Sequence, residues 1–272
     1  MYLPPNLCYT IAIDQPGNDV HRRMARLLVT SLIRTGWHGR IVVFRNCSIP
    51  VLPEGHADVE EHLLEDSGQS SWGGMMHWKY RIRDRLDLTG MGKVLFLDCD
   101  IIALRNINSL MLGSWDIYTA PEASRIVDYP FNGYLTEEEM TTLRNQPGLN
   151  SGTLGVRAPH YHEVMREWER LDALEPARRW TATDQHSWNR LVLDTALRHR
   201  HFALDAIQFP FIRPASYLDY RNAALVHAAD QSPEQKFTFL YGLWMGAFGK
   251  SNFEQITAPG SCSPARSQNL SR

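Results

Sequence analysis

Lys93-Val94-Leu95-Phe96-Leu97-Asp98-Cys99-Asp100 decides the fold. The run from Val94 to Leu97 is apolar without alternation. It reads as a strand covered on both faces, as in a parallel sheet wrapped by helices. Two carboxylates follow at i and i+2, a spacing that points both to one side of an extended chain. Asp98 and Asp100 therefore converge, and they repel unless a proton or cation sits between them. Oxygen ligands suit a hard divalent cation such as Mg2+ or Mn2+. In open α/β sheets, ligands bind beyond the carboxyl ends of the strands. The stretch predicts a metal-dependent site for a phosphorylated ligand. A solvated turn after a core strand would read the same way, so the flanking sequence has to discriminate.

Working outward, Cys8–Ile13 reads as a first strand and Asp14–Asn18 as a turn, with Asn18 or Asp19 available to cap a helix. Val20, Met24, Leu27, Leu28, Ser31 and Leu32 recur at helical spacing, and Gly36 ends that helix. Arg40–Phe44 is a second buried strand. Strand, helix, strand implies a right-handed crossover and a parallel sheet. Residues 51–74 are less regular, and a short helix is expected around Met76–Leu86. Beyond the Asp-x-Asp, Trp115–Ala120 is a strand candidate. Residues 125–147 read as a long excursion over the sheet, of the kind that forms binding loops. Ser151–Arg157 is a further strand, and Pro159 opens a helix with Tyr161, Val164, Met165, Trp168 and Leu171 on one face. Another helix starts near Thr183-Asp184, and Ala224–His227 is a short late strand. The expected organisation is one α/β domain over residues 1–256, with a disordered tail from Thr257.

Composition excludes several classes. A chain of 272 residues with 43% hydrophobic content can bury a full core. A net charge of -2 gives no footprint for nucleic acid. Cys8, Cys47, Cys99 and Cys262 lack paired metal spacing and fit a reducing compartment. The pairs His160/His162 and His199/His201 have no Cys or carboxylate spacing that would make a zinc site. The N-terminus shows no signal-peptide pattern, and no apolar run spans a membrane. The expected location is the cytoplasm, with a peripheral membrane role open.

Four patterns now stand in order: Asp98-Cys99-Asp100, Leu149-Asn150-Ser151-Gly152, Asp184-Gln185 and Val226-His227. In this order the chain resembles the GT-A glycosyltransferases. Within them it is most similar to the retaining family 8 group, which includes glycogenin and bacterial lipooligosaccharide galactosyltransferases. The resemblance implies a Rossmann-like α/β fold with a mainly parallel central sheet flanked by helices. It implies metal-dependent transfer of a sugar from a nucleotide-diphosphate donor, in the first place a UDP-hexose or UDP-N-acetylhexosamine, with retention. The acceptor would be a hydroxyl of a saccharide, lipid, small molecule or protein. Asp98, Asp100 and His227 match the ligands of Mn2+ or Mg2+. Lys79 matches a basic residue that contacts the donor, and Cys99 falls within the same substrate-binding set. Asn150 and Ser151 match residues lining the sugar and acceptor side, and Asp184 and Gln185 the pair facing the reacting sugar. Ile11, Ile13 and Asp14 match the region that holds base and ribose.

The family often continues H-x-x-G-x-x-K-P-W after the histidine. Here Asp230 replaces the Gly and Pro233 the Lys, while Lys236 comes three residues late and is followed by Phe237. A shifted loop would still bring Lys236 to the diphosphate. Plainer readings compete at each motif. Asp184 can be a helix N-cap, His227 a core histidine, Asn150-Ser151-Gly152 an ordinary turn, and Lys79 part of a solvated face with Arg81, Arg83 and Arg85. Two other classes also stand. One is a haloacid dehalogenase-like phosphohydrolase with Asp98 as nucleophile and Asp100 as acid/base, although a full βαβ unit precedes the motif here. The other is an inactive sugar-nucleotide-binding protein.

Overall fold

The computed structural model describes residues 4–53, 55–65, 72–174, 183–203, 206–211, 220 and 222–249. The tail expected to be disordered lies outside them. Strands β1 (Asn6–Ala12), β2 (Gly39–Arg45), β3 (Val59–Leu63) and β4 (Lys93–Leu97) run parallel. β6 (Ile117–Arg125), β7 (Pro147–Arg157) and β8 (His199–His201) complete a seven-stranded sheet of order β3-β2-β1-β4-β7-β6-β8. β7 is the reversed strand, antiparallel to β4 on one side and β6 on the other. A second, three-stranded sheet pairs β5 (Ile101–Ala103) antiparallel with β10 (Leu225–His227), which in turn runs parallel to β9 (Ile207–Gln208).

Helices cover both faces, which is why the strands are apolar without alternation. α1 (Val20–Arg34) buries Val20, Met24, Leu27, Leu28 and Leu32. Its start is held by Asn18, whose Oδ1 accepts from the Val20 amide at 2.9 Å. Its end is a Schellman motif: the Gly36 amide donates to Ile33 O and the Trp37 amide to Leu32 O. Gly36 has φ 78°, a conformation that a side chain would strain. α1 shares its side with α6 (Pro233–Phe248), packed through Phe237, Leu240, Leu243 and Trp244. The opposite core holds α2 (Trp72–Arg81), α4 (Ala158–Asp172) and α5 (Thr183–Asp194) around the buried rings of Tyr80, Trp168 and Trp188. Among the described residues no helix is long and apolar enough to cross a membrane.

The structure adds to or departs from the sequence expectations in several places, α6 among them. β3 lies in the segment read as irregular. The excursion at residues 125–147 contains α3 (Glu137–Thr142), opened by a Thr136/Glu139 capping box. β7 begins at Pro147, ahead of the expected Ser151, so Asn150-Ser151-Gly152 lies within the strand and the competing turn reading does not hold. Cys8 and Cys99 are free and buried, as the expectation of reduced thiols has them.

Candidate active site

The site forms where β4 ends. The Asp98 amide donates to Gly152 O at 2.8 Å, extending the β4–β7 ladder by one residue. Asp100 leads directly into β5, whose Ile101 is in register with His227 of β10. The Ala228 amide closes that ladder on Asp100 O at 2.9 Å. Main-chain pairing therefore brings a histidine far along the sequence beside the Asp-x-Asp. His227 Nε2 lies 3.1 Å from Asp100 Oδ1 and 3.9 Å from Asp98 Oδ2. One ligand atom from each of Asp98, Asp100 and His227 falls within 4.8 Å of the others. Two carboxylates and an imidazole are a chemically suitable set for Mn2+ or Mg2+. The third member of the Asn-Ser-Gly triplet leaves the room. A Cβ on Gly152 would stand 2.2 Å from Asp98 Oδ2 and 2.5 Å from His227 Cε1.

Two lysines supply the counter-charge. Lys236, in the first turn of α6, places Nζ 2.6 Å from Asp100 Oδ2. Ahead of it, Asp230 takes φ 63° at the position where the family motif has glycine. Asp is one of the few residues that tolerate this conformation. Lys79 on α2 is buried, with Nζ 2.8 Å from Asp184 Oδ2 and 3.2 Å from Asp98 Oδ2. It is therefore not part of a solvated face. Burial opposes the charge on both lysines, but Asp184 and Asp98 outweigh it for Lys79, and Asp100 for Lys236, so both are raised. The two aspartates diverge. Burial, with the Asp100 charge adding to it, pushes Asp98 up against the pull of Lys79. Burial acts on Asp100 too, but Lys236 and His227 overcome it and hold that carboxyl below its ordinary range.

Asp184 lies inside α5, and its carboxylate faces the site, not the helix amides. Oδ2 accepts from Ser151 Oγ at 2.7 Å as well as from Lys79. Gln185 Oε1 accepts from the Ser151 amide at 2.5 Å, and its Nε2 reaches Glu122 Oε1 at 3.4 Å. Asn150 Nδ2 donates to the same Glu122 oxygen at 2.5 Å. Glu122, on β6, was not read from the sequence. It is a single acidic residue after Pro121 with no motif around it. Burial raises its pKa.

These residues line a cavity of about 520 Å³, within the usual range for small-molecule sites. Ile11, Ile13, Lys79, Asp98, Cys99, Asp100, Asn150, Ser151, Asp184, Gln185, His227 and Lys236 all face it. So do His21, Glu122, Ser124 and Tyr129, which sequence reasoning passed over. Asp14 does not line it. Its carboxylate turns to the start of α1, accepting from the Arg22 amide at 3.0 Å, with Arg22 Nε 3.7 Å away. Burial pushes this carboxyl up to about 6, against the Arg22 amide and guanidinium. The folded state then binds more protons than the unfolded state between about pH 4 and pH 6. Stability from this group is fullest below that window and falls as pH rises through it, by on the order of 3 kcal/mol. Asp14→Asn should flatten that part of the profile in urea melts from pH 4 to 7. An unchanged slope would reject the assignment.

No protein-family model and no curated protein matches the sequence. Solved structures do. A glycosyltransferase involved in glycosylation of the major capsid of PBCV-1 superposes with a TM-score of 0.58 at 12% identity, over 87% of this chain and 100% of that one. The apo structure of the bifunctional glycosyltransferase WbbM gives 0.59 at 13% identity, over 94% of this chain and 52% of that one. At such identities the likeness is one of fold. It agrees with the α/β architecture described above.

Proposed function

We propose that this chain is a metal-dependent glycosyltransferase. It moves a sugar from a nucleotide-diphosphate donor, in the first place a UDP-hexose or UDP-N-acetylhexosamine, to an acceptor hydroxyl with retention, as in the family 8 group it resembles. The observation that carries the reading is the convergence of Asp98, Asp100 and His227 at the end of β4, with Gly152 clearing the space before them. The fold shared with two glycosyltransferases supports it.

Bound between Asp98, Asp100 and His227, Mn2+ or Mg2+ supplies charge neutralisation for a departing diphosphate. The chain's own groups do the rest. Lys236, beside Asp100, adds positive charge on the phosphate side. Lys79 fixes Asp184, and the Ser151 amide fixes the Gln185 carbonyl. Both acceptor groups are thereby held toward the sugar, where oxocarbenium character develops and preorganised negative charge is most effective. Retention follows if the acceptor attacks on the face the diphosphate leaves. The bond from the anomeric carbon to the phosphate oxygen breaks, the bond to the acceptor oxygen forms, and the acceptor proton passes to the leaving phosphate.

A thermal-shift screen of UDP-, GDP- and TDP-sugars with Mn2+, Mg2+ or EDTA tests this. The expected result is stabilisation by one UDP-sugar that EDTA abolishes. No shift with any of them, together with phosphate release from simple phosphoesters, would turn the reading toward a phosphohydrolase.

A further inference from the structure

We propose that the end of the main sheet opposite the cavity docks on an anionic lipid surface, with Leu112 set among the headgroups and Lys93, Arg157, Arg198 and Arg200 as their counter-charges. This stands apart from the transferase reading, because it uses no residue of the cavity. Main-chain pairing builds the patch. Lys93 opens β4 and faces Arg157 at the end of β7. The Arg157 amide donates to Asp116 O, and the Asp116 amide to Arg198 O, both at 2.8 Å. Arg200 follows on the exposed strand β8, in register with Tyr118. Neighbouring strand ends thus set four cations in a row with one carboxylate, Asp116, which lies 3.3 Å from Arg157 Nη1 and 3.0 Å from Arg198 Nε. Among the described residues no ion pair engages Arg200. The crowding of like charge acts on Lys93. Burial, with the charges of Arg157 and Arg200 adding to it, pushes its pKa down to about 8.

Leu112 stands at the rim of this row. At 53% it is the most exposed large hydrophobic residue described, and Gly113 and Ser114 beside it are exposed too. The tip is held in place. Lys93 Nζ donates to Met111 O at 2.7 Å and to Gly113 O at 2.6 Å, and Trp115 Nε1 donates to Leu112 O at 3.0 Å. A Cβ on Gly113 would lie 3.5 Å from Arg200 Nη1, so the guanidinium stands close to the leucine. An exposed leucine by itself is ordinary on a protein surface. One fixed in water at the border of an excess of positive charge fits a partner that offers both chemistries. A nucleic acid would use the cations and leave Leu112 in water. A bilayer takes both, the cations at anionic headgroups and the leucine at the acyl boundary. Docked by this end, the molecule holds the cavity, at the other end of β4, away from the lipid.

The test is co-sedimentation of the full chain with vesicles of phosphatidylcholine, alone or mixed equally with phosphatidylglycerol. Binding should require the anionic lipid and fall as salt is raised. Arg200→Glu and Leu112→Asn should each weaken it about tenfold or more. Both side chains are exposed, so neither change disturbs the core. Arg144→Glu is the control, because it makes the same charge change at an exposed position between α3 and β7, toward the cavity end of the sheet. No sedimentation with the anionic vesicles, or an equal loss from Arg144→Glu, would overturn the proposal. So would wild-type binding by Leu112→Asn beside a loss from Arg200→Glu, since a patch that needs the cation and not the leucine takes a polyanion such as nucleic acid and not a bilayer.

Discussion

Asp98→Asn and Asp100→Asn each lower sugar-nucleotide turnover by about 10²-fold or more and abolish the metal-dependent thermal shift. Asn keeps the shape of the side chain but brings no charge to the point where Asp98, Asp100 and His227 meet. The two variants should differ in stability without metal. Lys79 keeps Asp184 when Asp98 is neutralised, since that contact is 2.8 Å. Lys236 has only Asp100 as an ion-pair partner among the described residues. Asp100→Asn therefore strands a largely buried ammonium, a loss that typically costs about 3–5 kcal/mol. Turnover assays and melts in EDTA separate the two effects. Wild-type turnover in both variants would remove these aspartates from the reaction, and equal melts would reject the asymmetry.

Gly152→Ala is the second large effect, and it acts through a single methyl group. The added carbon would sit 2.2 Å from Asp98 Oδ2 and 2.5 Å from His227 Cε1. β7 cannot step aside, because it is bonded to β4 on one edge and β6 on the other. Overpacking of this kind costs about 1–3 kcal/mol. It should also weaken Mn2+ binding about tenfold or more, because it pushes two of the three candidate ligands apart. Gly242→Ala is the control. Nothing lies within 4 Å of its added carbon, and in a helix interior the change should be neutral or stabilising by roughly 0.5–1 kcal/mol. Isothermal titration with Mn2+ on both variants decides. A Gly152→Ala protein that binds like wild type would show that the space is not needed.

Much of this arrangement was legible in the residues. The unbroken apolar runs at Ile41–Phe44 and Val94–Leu97 signalled strands covered on both faces, and α1 and α4 showed their buried stripes. The motifs and their neighbours brought about half of the cavity lining into view, the acidic and basic groups at the end of β4 among them. What escaped notice had physical reasons. β3 is an edge strand whose Glu60 and Glu61 face Arg40 and Arg45 across the ladder, so charge hides its alternation. α6 is apolar nearly all round and interrupted by Gly242 and Gly246, so it shows no helical period. That omission left Lys236 looking displaced from its motif, although one helical turn carries it back to Asp100. Glu122 is defined only by what folds against it.

The small β5–β10 sheet has a bearing on how this molecule opens. It is only three strands wide, its central strand is three residues long, and the Ala228 amide closes it on Asp100 O. Its strands are buried in the core, so it opens only together with the packing around it. Any such opening would withdraw His227 from the two aspartates in the same movement. Amide exchange along this ladder and release of a bound cation would therefore be one event seen by two probes. A ligand that binds only the closed form holds the ladder shut in proportion to its concentration.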